Sequence, residues 1–381
     1  MLVLGVETSC DDTAIGIVCS KSNQILANVV SSQHSLNAKY GGIVPSFAAR
    51  SHHVNLPIVL GEAFKAADVT WTDIGVLAVT KGPGLVPCLK AGVDLVNELC
   101  ERYPHLVPME IHHLEGHALL PRLFKNVKFP FLALIVSGGH TSLIMVNDFD
   151  NYQVIGCTQD DALGEAFDKV GRLLDIKSEK SHVGAVLEQY ALKGDPEVEM
   201  FPVPMQASIS ADFSFSGLKS AVARRCDTLN ESDEIKTRFN IAAGFQKSAI
   251  DHLLTSTRRA LVWTGCTVNR YQLSHIKKFE YKVSRDMKKY SLNYPPRAFR
   301  KPTALVVSGG VAANLYLRGR MSGLASCFSI PAIFPPANLC TDNGVMIAWA
   351  AIERMKGIGL NRPSTRIVAQ PRLALNFRET I

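Results

Sequence analysis

Two histidines one helical turn apart are the first residues whose types and spacing could do chemistry. In His113-Leu-Glu-Gly-His117, side chains at i and i+4 of a helix project from one face, which suits two ligands of a single metal ion. In the protease motif H-E-x-x-H the glutamate follows the first histidine, whereas Glu115 lies about 200° around the helix and points away. The spacing favours a metal site over a protease, with two surface histidines that bind no metal as the alternative.

A third metal ligand is expected from a distant turn. Cys340-Thr-Asp-Asn-Gly344 places Asp342 directly before an apolar helical pattern that begins near Val345. The alternative is that Asp342 caps this helix, because a carboxylate there can accept hydrogen bonds from the free N–H groups. A His–His–Asp set with open positions suits Fe(II) or Zn(II), and the pattern does not choose between them.

Two turns of small residues could hold the phosphates of a nucleotide. Val136-Ser-Gly-Gly-His140 and Ser308-Gly-Gly-Val-Ala-Ala-Asn314 expose backbone N–H groups and allow close approach of a ligand. Between these turns, Asp161, Glu165 and Asp168 recur at helical spacing. That spacing predicts a solvated acidic helix face, with a carboxylate that reaches a ribose hydroxyl as the alternative.

An apolar strand followed by a turn of small polar residues occurs three times, and helical patterns lie between the copies. The copies begin at Val3, Phe131 and Ala304. The repeat predicts an α/β fold of two lobes with a duplicated core and a central cleft, as in the actin-like and sugar-kinase ATPases. We place the N-terminal lobe at residues 1–130, completed by a C-terminal helix within 336–381, and the C-terminal lobe at 131–335.

Composition excludes several classes of protein. With 47% hydrophobic and 20% charged residues, the chain of 381 residues has the composition of a globular protein. No apolar run approaches the roughly 18 residues of a membrane helix. The nine cysteines form no C-x-x-C pair, which indicates reduced thiols rather than a disulfide framework. Met1 runs directly into a strand pattern, so no targeting leader is visible.

Positive charge is concentrated in one segment, the basic segment 270–301. It holds ten Lys and Arg residues against two acidic ones, a net charge of +8, whereas the whole chain carries +7. Aromatic residues are interleaved with the basic ones, so the segment could bind the phosphates of a nucleic acid and stack on its unpaired bases. A solvated loop or a contact with a protein partner is the alternative.

Together these motifs resemble the tRNA N(6)-adenosine threonylcarbamoyltransferase family, formerly called O-sialoglycoprotein endopeptidases, in its bacterial and mitochondrial branch. The resemblance spans residues 3 to about 355. It is carried by Leu4–Asp12, Gly41–Pro45, Gly82–Leu85, His113–His117, Val136–Thr141, Glu165–Lys169, Asp212–Lys219, Ser308–Asn314 and Cys340–Gly344.

The resemblance implies roles for particular residues. It implies that His113, His117 and Asp342 bind one divalent metal ion, Fe or Zn. For the implied reaction, Asp11 in the first turn is the candidate that organises the reacting amine or water, with a hydrogen bond to the backbone as the alternative. The nucleotide-linked donor would be held by Val136, Ser137, Gly138, Gly139, His140, Asp168, Gly184 and Asn314. Where the family carries a Gly-Gly pair, this chain has Ser181-His-Val-Gly-Ala185 and retains only Gly184. The β-branched Val183 beside it restricts positive φ.

The implied reaction moves the threonylcarbamoyl group of threonylcarbamoyl-AMP to the N(6) amine of the adenosine on the 3′ side of the anticodon. The tRNAs are those that read codons beginning with A, and a separate synthase would make the donor. The same resemblance implies a mitochondrial location, with the cytoplasm as the alternative. We also expect a homodimer and, from the lack of a long apolar run, no membrane association. A non-catalytic nucleotide-dependent scaffold and, more remotely, an actin-like-fold kinase are the rival functions, although a kinase has no use for a His–His–Asp site.

Overall fold

Ten strands and ten α-helices make up the regular structure of the residues that this computed structural model describes, namely 1–178, 182–229, 235–267, 300–360 and 366–375. The strands are β1 (Leu2–Glu7), β2 (Asp12–Cys19), β3 (Ile25–Ser32), β4 (Ile74–Gly82), β5 (Val107–His112), β6 (Phe131–Val136), β7 (Thr141–Asp148), β8 (Asn151–Cys157), β9 (Leu305–Ser308) and β10 (Ala332–Ile333). Ser181 and most of the basic segment 270–301 lie outside the described residues.

The described residues form ten α-helices. They are α1 (His34–Tyr40), α2 (Pro45–Ala67), α3 (Val86–Arg102), α4 (His113–Leu119), α5 (Leu163–Leu173), α6 (Val183–Ala191), α7 (Ser216–Cys226), α8 (Ile235–Trp263), α9 (Leu315–Cys327) and α10 (Gly344–Ile358). Within the part of the chain that the structure describes, no helix has the length and apolar character to cross a membrane. The chain divides into two compact units. Unit 1 comprises Met1–Asn126, Phe149–Asn151 and Thr341–Ile381, and unit 2 comprises Val127–Asp148 and Tyr152–Cys340.

Unit 1 is built on a five-stranded mixed sheet in the order β3-β2-β1-β4-β5. The first three strands form an antiparallel meander, and β4 and β5 run parallel to β1. Strand β1 is buried almost throughout because α10 packs against it and the core formed with α2 and α3 lies alongside. This double cover explains why β1 has a continuous apolar run instead of an alternating pattern.

Three glycines allow α10 to lie against β1 and β2. A Cβ atom on Gly5 would stand 2.2 Å from the carbonyl oxygen of Gly344, and one on Gly16 would stand 2.3 Å from the backbone nitrogen of Val345. No side chain fits in these gaps, so backbone meets backbone. The contact fixes the start of α10, and with it the turn that carries Asp342, against the sheet of unit 1.

Unit 2 repeats the plan of unit 1. Its sheet has the order β10-β9-β6-β7-β8, with β6 and β7 antiparallel and with β9 parallel to both β6 and β10. Strand for strand this is the order of the first sheet, because β6, β7, β8, β9 and β10 occupy the places of β1, β2, β3, β4 and β5. The predicted α/β class with a duplicated core is therefore confirmed.

Candidate metal centre and glycine turns

Helix α4 begins directly after β5 and presents two buried histidines. The exposed fractions of His113 and His117 are 3% and 0%. The helix is capped by the side chain of His112, whose Nδ1 accepts the N–H of Leu114 at 3.1 Å. Burial lowers the pKa of His112 to about 4, so its ring is neutral at physiological pH. The alternative of two solvent-exposed histidines on a helix surface is wrong.

The glutamate between the two histidines has a different partner. Glu115 is fully buried, and its Oε1 lies 2.9 Å from Nε of Arg354 on α10. The guanidinium of Arg354 also reaches Oδ1 of Asp150 at 2.9 Å. Glu115 thus belongs to a buried ion-pair network, which agrees with the expectation that it faces away from the histidine pair.

Asp342 reaches both histidines from the turn before α10. Its Oδ1 lies 3.0 Å from Nε2 of His117 and 3.7 Å from Nε2 of His113. The helix is capped by the neighbouring residue, because Oδ1 of Asn343 accepts the N–H of Met346 at 2.9 Å. The alternative that Asp342 is the cap of this helix is therefore wrong, and its carboxylate is directed to the histidines.

The three side chains fit a divalent cation. One ligand atom from each of His113, His117 and Asp342 can be chosen so that all lie within 4.8 Å of one another. Metal–ligand bonds of about 2.0–2.2 Å hold neighbouring ligands about 3–3.5 Å apart, so only small side-chain adjustments would be needed. Two imidazoles and one carboxylate suit Fe(II) and Zn(II) equally.

A buried carboxylate that the sequence analysis missed supports the first histidine. Oε2 of Glu7, at the end of β1, lies 3.2 Å from Nδ1 of His113. The same carboxylate accepts the N–H of Ser9 and the hydroxyl of Thr80. Burial alone would raise the pKa of Glu7, but the charge of His113, the hydrogen bond with His113 and a hydrogen bond with the Ser9 side chain hold that pKa below its ordinary value. A lone carboxylate at the end of an apolar strand was the signal in the sequence.

The charges around His113 act on its protonation as well. Burial opposes a charge on this ring, but the carboxylates of Asp342 and Glu7 raise the pKa of His113 to about 9. In the absence of a cation the ring is therefore positively charged at neutral pH, with a proton on each nitrogen. A divalent cation and a proton compete for the same nitrogen, as is usual for histidine ligands.

The β1–β2 turn carries Asp11, the residue predicted to organise the reacting amine. Oδ2 of Asp11 accepts a hydrogen bond from Nδ2 of Asn37 at 2.7 Å. The next residue, Asp12, accepts the hydroxyl of Ser32. Burial, with the charges of Asp11 and Asp342, raises the pKa of Asp12 well above its ordinary value. The charge of Asp342 thus acts on the pKa of Asp12. The two neighbouring acids have different partners, Asn37 for Asp11 and Ser32 for Asp12.

In unit 2 the two glycine turns contact each other. Ser137 closes the first turn, because its Oγ accepts the N–H of His140 at 3.1 Å and its N–H donates to the carbonyl of His140 at 2.8 Å. Gly309 of the second turn has a φ of +98°, and a Cβ there would stand 2.4 Å from the carbonyl oxygen of Val136. In contrast, a Cβ on Gly138 or Gly139 would meet no described atom within 4 Å. The tip of the first turn therefore borders open space.

Asp168 lies within α5, whereas Gly184 lies in the first turn of α6 and Asn314 directly precedes α9. Oδ1 of Asp168 accepts the N–H of Gly184 at 2.8 Å, in the first turn of α6. Asn314 caps α9, since its Oδ1 accepts the N–H of Leu317 at 2.8 Å. Glu188, within α6, links this helix to α9, because its Oε1 accepts the N–H of Leu315 at 2.8 Å. Asp168 and Asn314 thus each accept a hydrogen bond from the backbone, and a bound ligand would have to share these side chains with the backbone N–H groups.

The acidic spacing before and within α5 does not form a solvated face. Asp161 precedes the helix, and its carboxylate pairs with Lys169 at 2.7 Å and with Lys219 at 2.6 Å. Glu165 also pairs with Lys169, at 2.7 Å. That expectation is wrong because two lysines, one from a distant helix, neutralise the acids.

Comparison with known protein families gives one match over most of the chain. A family model described as tRNA N6-adenosine threonylcarbamoyltransferase matches residues 24–349. A protein of that name from Orientia tsutsugamushi (strain Ikeda) is 41% identical over 356 residues, which cover 93% of this chain and 94% of the relative. A relative from Arabidopsis thaliana, named as the probable mitochondrial enzyme, is 35% identical over 367 residues, which cover 93% of this chain and 69% of the relative.

Among solved structures, two of HypF are similar to this chain in fold. The structure of HypF from T. kodakarensis has a TM-score of 0.54 at 12% sequence identity and covers 93% of this chain and 48% of that chain. A structure of full-length HypF in its phosphate- and nucleotide-bound form has a TM-score of 0.52, also at 12% identity, and covers 94% of this chain and 56% of that chain. At this level of identity the likeness concerns the fold alone.

Proposed function

Because this chain belongs to the tRNA N6-adenosine threonylcarbamoyltransferase family and is an enzyme of that class, we propose the specific reaction that it performs. It transfers the threonylcarbamoyl group of threonylcarbamoyl-AMP to the N(6) amine of the adenosine on the 3′ side of the anticodon, in tRNAs that read codons beginning with A. The convergence of the buried His113 and His117 with the partly buried Asp342 is the observation that carries this proposal, and Glu7 supports His113 there.

The chemistry follows from the donor. The attacking N(6) atom forms a bond to the carbamoyl carbon, the bond from that carbon to the phosphate oxygen breaks, AMP leaves, and the amine loses a proton. A mixed anhydride has a good leaving group, so no covalent enzyme intermediate is needed. A cation held by His113, His117 and Asp342, Fe or Zn, would supply Lewis-acid character and a template for the donor.

The other residues have binding roles in this proposal. The turn 136–140, with Asp168, Gly184 and Asn314, holds the nucleotide part of the donor. The open space at Gly138 and Gly139 supports this role, since helix starts and turn N–H groups suit phosphate. Asp11 organises the reacting amine or a water molecule. We assign unit 1 and unit 2 as the two actin-like lobes, which the division of the chain after Asn126 and after Cys340 supports.

A non-catalytic scaffold would use the nucleotide-binding turns without any need for the metal ligands. We favour catalysis over that alternative because all three candidate ligands, His113, His117 and Asp342, are present and offer ligand atoms within 4.8 Å of one another. The same argument makes a kinase remote, since phosphoryl transfer does not require this ligand set.

The test compares modified nucleosides in cells that lack this protein. Mass spectrometry of tRNA from separated organelles and cytosol should show loss of N(6)-threonylcarbamoyladenosine, and the parent gene should restore it. The His113→Ala/His117→Ala double variant should fail to restore it and should purify with less Fe or Zn. The matched control is the His53→Ala/His105→Ala double variant at two exposed histidines. Full restoration of the modified nucleoside by the His113→Ala/His117→Ala variant would show that the reaction does not require the metal centre.

We place the protein in mitochondria, with tRNA as its macromolecular substrate and a separate synthase as the source of the donor. The mitochondrial relative from Arabidopsis thaliana supports this location, whereas the bacterial relatives keep the cytoplasm as the alternative. The separated fractions of the same experiment decide between the two. Loss of the modified nucleoside from cytosolic tRNA alone would contradict the mitochondrial location. The basic segment 270–301 is proposed as a tRNA contact on its charge and aromatic content.

We also propose that a second copy of this chain packs on α2. Phe47, Val54 and Ile58 are exposed to 40%, 59% and 55%, and they lie along one face of this helix. Arg50 lies four residues before Val54 and Glu62 lies four residues after Ile58, and both are exposed. In an antiparallel two-fold pairing of α2 with its copy, Val54 faces Ile58 and Arg50 faces Glu62. The stripe is therefore self-complementary in charge as well as in apolar character.

A further inference from the structure

The chain's C-terminal strap, residues 366–375, is tied to unit 1 along its length. Asn97 on α3 makes two hydrogen bonds with the backbone of Ile367. Nδ2 of Asn97 donates to the carbonyl of Ile367 at 2.9 Å, and the N–H of Ile367 donates to Oδ1 of Asn97 at 3.0 Å. Farther along, the N–H of Gln370 donates to the carbonyl of Lys81 at 2.8 Å. The side chain of Ile367 is buried in the core of unit 1. The strap is thus anchored by backbone bonds and by burial.

The strap lies directly against the end of β4. A Cβ atom on Gly82 would stand 1.8 Å from the carbonyl oxygen of Gln370, so only glycine allows this approach. Gly82 is paired with His112 in the β4–β5 register. The strap therefore runs past the last residue before the metal helix α4.

Farther along, the strap contacts that residue. Nε2 of His112 lies 3.0 Å from the carbonyl oxygen of Leu373, while Nδ1 accepts the N–H of Leu114. A carbonyl only accepts hydrogen bonds, so the ring proton must lie on Nε2. With the proton there, Nδ1 has the free lone pair that caps α4. In the other tautomer Nδ1 would carry a hydrogen and could not accept from Leu114.

This cap matters because α4 is short. It contains seven residues, and helices of this length depend on their caps and packing. Its first and fifth residues are His113 and His117. A change in the first turn would rotate Nε2 of His113 away from Asp342, which it faces at 3.7 Å.

We propose that His112 is a positioning residue of the metal centre, held in its capping tautomer by the carbonyl of Leu373 in the C-terminal strap. The proposal rests on the proposed metal-binding role of His113, His117 and Asp342. It assigns to the strap a part in setting the geometry of His113 and His117, which lie more than two hundred residues earlier in the sequence.

The experiment measures the affinity of the full-length, metal-depleted protein for Zn²⁺ alone, by competition with a chelator. His112→Ala should weaken Zn²⁺ binding about tenfold to a hundredfold, the usual loss when a residue that orients a ligand is removed. His112→Asn should recover most of the affinity, because asparagine is a good helix cap. Affinity for ATP, measured on the same samples, should not change, which shows that the variants are folded. His53→Ala is the matched control at an exposed histidine.

The role of the strap is tested with Asn97→Ala, which removes both bonds to Ile367 without touching His112. Zn²⁺ affinity should fall in this variant, and the His112→Ala/Asn97→Ala double variant should bind no more weakly than His112→Ala alone. Asn28→Ala, at an exposed asparagine, is the control. Unchanged affinity in His112→Ala overturns the proposal, and equal losses from Asn97→Ala in both backgrounds overturn the part assigned to the strap.

The His113→Ala/His117→Ala variant tests the metal site separately from the positioning role of His112. If it binds Zn²⁺ as the parent does, the metal site itself fails. If it loses binding while His112→Ala does not, the metal site stands and only the positioning role fails.

Discussion

Oε2 of Glu7 lies 3.2 Å from Nδ1 of His113, and both side chains are buried. The bond fixes the ring so that Nε2, rather than Nδ1, faces Asp342. The other ring has no equivalent support, because Nδ1 of His117 is buried without a hydrogen-bond partner among the described residues. Glu7 therefore restricts the orientation of the His113 ring, whereas no described hydrogen bond at Nδ1 restricts the ring of His117.

Replacing Glu7 with glutamine should weaken metal binding by about tenfold to a hundredfold. Glutamine can still accept the hydrogen bond from His113, but the negative charge that makes the ring a stronger ligand is lost. Chelator competition with Zn²⁺ measures the effect, and Glu98→Gln at an exposed site on α3 is the control. If Glu7→Gln and Glu98→Gln bind Zn²⁺ equally, the carboxylate has only a structural part.

Asp168 is predicted to contact the donor even though its Oδ1 already accepts the N–H of Gly184. Asp168→Ala should weaken ATP or donor binding by about 1–3 kcal/mol, the loss expected for a charged hydrogen bond. Asp168→Asn should preserve the helix-start bond and lose less. Calorimetry gives the affinities, with the exposed Asp175→Ala as control. A fall in thermal stability without any fall in affinity would assign Asp168 to capping alone.

The sequence predicted most of what depends on local spacing. The i, i+4 histidines lie on a helix, and the repeated strand–turn pattern became two sheets of the same strand order. Glu7 was missed because its role depends on β1 lying beside β4 and α4, a long-range arrangement that spacing does not encode.

Neighbouring polar residues were also hard to separate. Asp342 and Asn343 are both good helix caps, and only the observed start of α10 at Gly344 shows that Asn343 takes this position. Asp161 was placed on α5, but the helix begins at Leu163. Its pairing with Lys219, on α7, could not be inferred from the acidic spacing.

Charge reversal on α2 should test the proposed pairing with a second copy. Arg50→Glu or Glu62→Arg alone places like charges opposite each other and should raise the dimer dissociation constant about tenfold or more. The Arg50→Glu/Glu62→Arg double variant restores opposite charges and should recover dimerisation. Sedimentation velocity measures the mass, with the exposed Lys125→Glu as control. A monomeric parent protein at tens of micromolar, roughly the weak end of specific association, would rule out the pairing.

Neutralising part of the basic segment 270–301 should weaken tRNA binding and flatten its dependence on salt. Each lost phosphate contact should lower the log–log slope by about 0.7–0.9. Donor turnover without tRNA should be unchanged, because the nucleotide-binding residues lie elsewhere in the sequence. The variant replaces by alanine Lys277, Lys278, Lys288 and Lys289. The control replaces four other lysines, Lys21, Lys39, Lys90 and Lys125. Binding curves that overlay those of the parent at every salt concentration would exclude the segment from the tRNA contact.

Acid stability should depend on His252, a fully buried histidine of α8. Its Nε2 accepts the N–H of Ser214 at 3.1 Å, and burial together with the charge of Arg259 lowers its pKa to about 4. The unfolded chain, with an ordinary pKa near 6.5, takes up a proton first as pH falls. The free energy of unfolding therefore decreases between about pH 6.5 and pH 4.

The variant His252→Gln keeps an acceptor for Ser214 but does not titrate. Its stability should fall less than that of the parent between pH 7 and pH 5, by about 2 kcal/mol. Urea unfolding at the two pH values gives the difference, and His53→Gln is the control. Parallel pH profiles for parent and His252→Gln would show that the buried ring does not govern acid stability.

The glycine contacts between α10 and the first two strands have a consequence for the order in which the protein is made. Unit 1 begins at Met1 but is closed by Thr341–Ile381, whereas unit 2 ends at Cys340. Synthesis therefore delivers all of unit 2 before the helix that covers Gly5 and Gly16 exists. Until then β1 lacks one of its two apolar covers, and His113 and His117 lack Asp342. A chain interrupted before residue 341 would lack α10 and Asp342, so translation must pass this turn before the candidate centre has all three of its ligands.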